Sequence, residues 1–355
     1  MYKTKGDVTN MRKLASIQKI VDITPIEGAD RIELAHVLGW QCVVGKGEFS
    51  VGELVVYFEV DSFLPIKEEF EFLRKSSYRN NEFMGEGFKL RTQTFRGQIS
   101  QGLLQPLSKF NLTNVKEGDD VSERLGIVEW RIPERVGSSG TIIGDRPDFI
   151  PKTDETRVQS MPDLLTEFNG LDYYITTKCD GTSSSFGIDK DGNIRYTGHA
   201  FEYKDDGKSS FVEMLKKKNI EEKAKKFVAD NNLTNLVVQG ELCGDGIQKN
   251  RLQLMEAHWF VFTVKENGKR VGLKETQRVC SELGLEMVPV EEVGTDLPSK
   301  YPTIEDLLMR ADGNYACGSK KEGIVIRPTE PVFSKLLSGE LSMKVLNNKY
   351  LLKNE

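Results

Sequence analysis

The stretch from Thr176 to Gly187, TTKCDGTSSSFG, sets an amine, a carboxylate and a glycine close together as Lys178, Asp180 and Gly181. An uncharged lysine amine is a nucleophile that can carry a covalent intermediate. Residues 173–177 read as a strand, and Asp180-Gly181 is a turn signal that returns the chain into a second run, 183–188. Lys178 is thus expected at a strand-to-turn junction, where a pocket could hold it. The alternative is a hairpin whose lysine points at water.

Further candidates sit at the ends of apolar runs. VVQGELCGDGIQKNR puts Glu241 at the end of a strand, ahead of a glycine-rich loop, and KKEGIVIRP puts Glu322 just before a glycine and a β run. HWFVFTV holds Phe260 and Phe262 in an aromatic strand, and SMKVLNNKYLLK carries Lys344 and Lys349. Taken singly, these are solvated carboxylates, core aromatics and surface lysines. Their occurrence together and in this order is what such readings leave unexplained. Cys179 and Cys243 read as small packing residues, since neither has a histidine neighbour in sequence.

The elements that must position these residues fall into two parts. Up to about residue 130 the text is rich in short β runs: Ile32 to Val37, Trp40 to Val44, and LVVYFEV from Leu54 to Val60. KEEFEFLRK, 67–75, reads as a short helix, and FKLRTQTFRGQIS and GLLQPL as further strands. Three strands, a helix and two strands is the order of a five-stranded OB barrel. Residues 70–96 interleave Arg74, Lys75, Arg79, Lys89, Arg91 and Arg96 with Phe72, Tyr78, Phe83, Phe88 and Phe95. Such a mixture suits an RNA surface as well as an ordinary barrel core. A Gly-, Pro- and Ser-rich stretch, 131–148, reads as a linker. Beyond it, strands alternate with helices expected at 210–230, 274–283 (stopped by Gly284) and 303–311 (capped by Thr303). Asp191-Gly192 and Asn267-Gly268 mark hairpins. The organisation expected is 1–130, an OB-like nucleic-acid-binding domain; 131–148, a linker; and 149–355, an α+β domain with antiparallel sheets.

Length and composition bound the rest. The chain has 355 residues, 38% hydrophobic and 29% charged, with net charge −5. This describes an ordinary soluble protein of two domains, with no span for a membrane. MYKTKGDVTNMRKL is polar and shows no signal peptide. Five scattered cysteines without a C-x-x-C pair point to reduced thiols in a cytoplasmic or other intracellular setting, a viral one included. Three distant histidines make a histidine metal site or a His-based triad improbable. Neither G-x-G-x-x-G nor G-x-x-x-x-G-K-[ST] occurs, which excludes Rossmann and P-loop readings.

In order and spacing, the segments around Lys178, Glu241, Phe262, Glu322 and Lys344 resemble the motifs of the covalent nucleotidyltransferases, and among these the ATP-dependent RNA ligases. GELCGDGIQ is similar to the glutamate-bearing segment of nick-sealing RNA ligases, and FIPKTDETRVQ to the segment upstream of their lysine. ADRIELAHVLGWQCVVG resembles OB modules that bind tRNA, which fits the branch with an OB domain ahead of a ligase-type adenylyltransferase domain unrelated to ATP-grasp. The resemblance implies Lys178 as the AMP acceptor, with Asp180, Glu241 and Glu322 around a hydrated Mg or Mn ion; Asp180 is alternatively a ribose ligand. A lysine with an ordinary pKa of about 10.4 must be made neutral to attack the α-phosphorus of ATP, and a cation beside it would favour that form. Lys344, with Lys349, would neutralise α-phosphate charge. The nucleotide site would comprise Arg157 on the triphosphate, Phe262 stacked on adenine, the motif neighbours Thr177, Cys179 and Gly181, and His199.

Two positions depart from the family. Thr177 stands where relatives often carry glutamate, and Gly198-His199-Ala200 where Ser-Arg-Asn is usual, leaving His199 or Arg195 to replace the arginine. The implied partner is RNA, or an RNA-containing duplex, with 3′-OH and 5′-phosphate ends. A non-catalytic RNA- or tRNA-binding protein would leave the second motif set unexplained. Capping guanylyltransferases and DNA ligases carry their OB domain after the catalytic domain, where only eleven residues follow Lys344 here.

Overall fold

A computed structural model describes residues 12–131 and 140–354. Residues 132–139 of the expected linker and the polar segment 1–11 lie outside the described residues. The chain divides into two compact units. One takes in the residues up to 131 with Val158–Pro162 and the last residues from Leu351; the other takes in residues 140–157 and Asp163–Tyr350. Among the described residues no helix is long and apolar enough to cross a membrane.

The first unit is built of short antiparallel sheets. Leu54–Phe58 is the middle strand between Ala15–Lys19 and Leu103–Pro106. Its sequence, LVVYF, is apolar without a break because it is covered on both sides: Val56 and Phe58 pack with Ile17, Phe70 and Phe88, while Val55 and Tyr57 pack with Trp40, Val44 and Leu104. A second sheet runs Asp22–Pro25, Ile32–Val37 and Trp40–Gly45, and a third joins Val128–Glu129, Ser62–Leu64, Gly85–Lys89 and Tyr78–Asn81. The helix expected at 67–75 is a 3-10 turn, Glu68–Leu73, running into one α turn, Arg74–Ser77. Of the interleaved aromatics, Phe88 is core and Tyr78 half-buried, whereas Phe72, Phe83 and Phe95 are exposed.

The second unit carries two antiparallel sheets. The larger runs in the order Ile142–Asp145, Phe201–Tyr203, Ile194–Thr197, Thr182–Ile188, Leu236–Cys243, His258–Glu266 and Lys269–Arg270, with Glu286–Met287 alongside His258–Glu266. The strand Ile142–Asp145 lies within the stretch read as linker. The smaller sheet runs Val290–Thr295, Asp172–Lys178, Gly323–Pro328 and Met343–Leu346. Strand alternation sorts the larger sheet into two faces. Phe186, Val238, Leu242, Trp259 and Val261 pack under helices Ser210–Lys217, Ile220–Asp230 and Leu273–Leu283. Glu241, Phe260 and Phe262 are left for the opposite face.

The helix expected at 210–230 is two helices, separated at Lys218 and Asn219. Asn219 takes φ +53°, a left-handed conformation that asparagine tolerates better than most residues. Gly284 ends Leu273–Leu283 in the same conformation, as its position suggested. Ile304–Ala311 begins with a capping box: the Thr303 Oγ1 accepts from the Asp306 N–H at 3.1 Å, and the Asp306 Oδ2 accepts from the Thr303 N–H at 3.0 Å. Thr303→Ala removes one of these partners and is expected to cost about 1 kcal/mol, read as a lower urea midpoint at unchanged slope.

Candidate active site

Parity along Asp172–Lys178 decides what faces what. Tyr174, Thr176 and Lys178 share a face with their cross-strand partners Arg327, Val325 and Gly323 on Gly323–Pro328. Lys344 lies opposite Val325 and so joins that face. Thr177 points the other way. Its hydroxyl donates to Glu291 at 2.7 Å, and the same carboxylate accepts from Lys321 and Arg310. The Thr177 side chain is therefore part of a network behind the sheet, not of a nucleotide site.

Lys178 Nζ stands 2.7 Å from Glu322 Oε1. Glu241 reaches the same place from the neighbouring sheet, opposite Ser183 and held by a hydrogen bond from the Gly181 backbone. Gly181 is needed for this approach, since a methyl there would collide with the Leu242 carbonyl and meet Cys243 Sγ at 2.7 Å. Asp180 completes the group; it accepts from the Tyr350 hydroxyl and lies 3.4 Å from Arg251. Cys179 is buried with Cys243 and Val288, in contact with Phe260 and Phe262, and packs rather than binds.

The charges are unbalanced. Burial alone would lower the Lys178 pKa, but Glu322, Glu241 and Asp180 outweigh it and hold the ammonium above its ordinary range. Burial, with repulsion from Glu322 and Asp180, pushes Glu241 up to about 8, against the pull of Lys178. Asp180 is raised by burial and by Glu322. Three carboxylates thus crowd one amine. Among the described residues, no set of His, Cys, Asp and Glu side chains is arranged to ligate a metal directly.

Other expected residues divide. Arg157 lies next to Lys344 through a parallel bridge, and Lys344 N–H donates to the Thr156 carbonyl at 2.8 Å. Phe262 lines a cavity of about 140 Å³ with Lys152, Gln239 and Arg327. Lys349 is 62% exposed and ion-paired with Asp312, which also holds Lys320, so it is not brought to Lys178. A lysine count in a motif gives no orientation, and one residue of helical rotation decides it. His199 is half-buried, 3.8 Å from Asp154, and Arg195 is neutralised by Glu202. Neither joins the Lys178 cluster. The guanidinium at the 198–199 turn is that of Arg146, which donates to the carbonyls of Gly198 and His199 at 2.7 and 2.8 Å. Sequence reasoning also missed Arg251, Tyr315 and Tyr350. Arg251 closes the VVQGELCGDGIQKNR segment and Tyr350 follows Lys349 in SMKVLNNKYLLK, whereas no motif contains Tyr315.

The Glu241 shift has a testable sign. In cation-free protein the folded state holds that proton up to about pH 8, and the unfolded chain only to about 4.5. Ionised Glu241 therefore costs stability that grows as pH rises between those values. Glu241→Gln should leave the melting temperature in EDTA nearly unchanged at about pH 4 and raise it at about pH 8.5. Equal differences at both pH values would contradict the charge crowding.

An OB-fold domain model matches residues 14–107, and an RNA ligase model matches residues 171–346. Among solved structures, a lysine-to-methionine variant of the Naegleria gruberi RNA ligase with AMP and Mn is 33% identical, with TM-score 0.86, over 97% of this chain and 99% of that one. The same ligase with pyrophosphate is 34% identical, with TM-score 0.85 over the same shares. A lysine-to-alanine variant with ATP and Mn is 33% identical, with TM-score 0.86, over 96% and 99%. No curated protein sequence matches. An OB-fold domain followed by a ligase domain, and likeness along nearly the whole of both chains, place this protein in the RNA ligase family.

Proposed function

We propose that the protein seals RNA 3′-OH and 5′-phosphate ends, at nicks in duplexes, through a lysyl-AMP intermediate on Lys178. The observation that carries this reading is the Lys178 amine, 2.7 Å from Glu322 and electrostatically coupled to Glu241 and Asp180. ATP as substrate, with Mn or Mg as cofactor, is supported by the Naegleria ligase structures with ATP and Mn and with AMP and Mn.

The donor set fits a divalent cation held through its water. Asp180, Glu241 and Glu322 offer carboxylate oxygens in excess of nearby positive charge, without the spacing of direct ligands. Such an ion supplies positive charge that offsets the carboxylates and favours the neutral amine. Lys178 Nζ, which donates to Glu322 Oε1, has a short path along which to lose its proton. In the first step the N–P bond forms at the α-phosphorus and the bond to pyrophosphate breaks. AMP then passes to the RNA 5′-phosphate, freeing the amine, and the 3′-OH displaces AMP. Lys344 and Arg157, adjacent in the fold, meet the phosphates, and Phe262 offers a flat apolar wall to adenine.

The proposed division of labour gives residues 149–355 the chemistry and residues 1–130 the RNA. The exposed Phe72, Phe83 and Phe95 alternate along the sequence with Arg74, Lys75, Arg79, Lys89, Arg91 and Arg96, a composition suited to base stacking and phosphate contact.

Incubation with labelled ATP and denaturing electrophoresis tests the chemistry. Lys178→Ala should lose covalent AMP yet still join a pre-adenylylated 5′ end at least partly, because that last step no longer uses the amine. Lys344→Ala should slow labelling roughly a hundred- to a thousandfold. Lys349→Ala should stay within about threefold of wild type, the scale of a surface change. Persistent labelling of Lys178→Ala would move the acceptor elsewhere. For the RNA surface, raising salt from about 50 to 200 mM should weaken joining at limiting RNA far more than self-labelling, and Phe95→Ala should impair joining alone. Equal salt sensitivity of the two steps would rule out this grip.

A further inference from the structure

The pairing of Asp172–Lys178 with Gly323–Pro328 ends at Lys178 opposite Gly323. Just past that end, the Tyr315 hydroxyl donates to the Lys178 carbonyl at 2.9 Å and accepts from the Glu322 N–H at 3.1 Å. Both capacities of one hydroxyl are thus used on the backbones of the two residues that form the 2.7 Å ion pair. Tyr315 is 8% exposed, and burial keeps its hydroxyl neutral and able to donate.

Its base is firm. The Tyr315 N–H donates to the Ser319 carbonyl at 2.8 Å and the Gly318 N–H to the Tyr315 carbonyl at 2.9 Å, while Asn347 Nδ2 donates to the Lys321 carbonyl at 3.1 Å. The same loop reaches a third member of the site. Ser319 Oγ and Cys317 Sγ both lie against the Arg251 carbonyl, and the Arg251 guanidinium faces Asp180.

We propose that Tyr315 is a positioning residue for self-adenylylation, its hydroxyl fixing the separation between the Lys178 amine and the Glu322 carboxylate by tying their backbones together. The inference rests on the reading of Lys178 as the AMP acceptor. Tyr315 touches no reacting atom; its effect is transmitted through where Lys178 and Glu322 stand. Loss of the tie loosens the ion pair, so the amine meets the α-phosphorus less often in line.

The test compares full-length wild type with Tyr315→Phe and with 3-fluorotyrosine at position 315, which keeps the hydroxyl. Single-turnover self-adenylylation is followed against ATP concentration at saturating Mn, with melting curves for each protein and peptide mapping of the wild-type adduct. The result expected for Tyr315→Phe is a maximal rate lower by roughly ten- to a hundredfold, with the ATP concentration for half-maximal rate little changed. The fluorotyrosine protein should stay near wild type. An unchanged maximal rate in a folded Tyr315→Phe, with the wild-type adduct on Lys178, overturns the role of Tyr315 alone. An unfolded Tyr315→Phe beside a folded fluorotyrosine protein makes the hydroxyl merely structural and overturns it too. An adduct on any other residue removes both this inference and the acceptor on which it rests.

Discussion

The contact on which the rest depends is the ion pair between Lys178 and Glu322, set in a group of carboxylates larger than one amine can satisfy. A half-buried pair of this kind is weak evidence for stability, because desolvation offsets much of the attraction. Its worth is as a poised arrangement. With Glu241 raised to about 8 and Asp180 also raised, the site is strained by its own negative charge and suited to a polycation or to a hydrated divalent ion. The attraction that holds the amine in place also holds it protonated, so the proposed nucleophile is kept idle until that charge is offset.

Strand alternation turns this local chemistry into architecture. One residue of register separates Lys178, facing the phosphate-binding candidates, from Thr177, committed to Glu291, Lys321 and Arg310 behind the sheet. The same rule puts Trp259 and Val261 under the helices while Phe262 is left at the cavity. A slip of one position in either sheet would exchange core for site.

Much of this was legible in the sequence because it is local. The Lys-x-Asp-Gly turn, Glu241 at the end of an apolar run and Glu322 before a β run each announce a strand end. Thr303 and Gly284 announce helix ends in the same way. What stayed hidden depends on contacts across long stretches of chain. Tyr315 meets Lys178 over a separation of 137 residues, and nothing near Tyr315 in the text marks it. Lys349 misled because a motif lysine carries no sign of the Asp312 partner that holds it outward. The split of the helix expected at 210–230 turned on a single asparagine, where helical periodicity on either side gave no warning.

The network behind the sheet has a mechanical consequence. Thr177 and Lys321, the residues immediately before Lys178 and Glu322, are bound to one carboxylate, that of Glu291. The ladder pairs the two strands in the plane of the sheet, and Tyr315 links them beyond its end. Three attachments not on one line oppose hinging, sliding and twisting of the two strands against each other. The motion left to the amine is chiefly rotation about its own side-chain bonds, so much of the ordering that the proposed in-line attack would demand is built in when the chain folds.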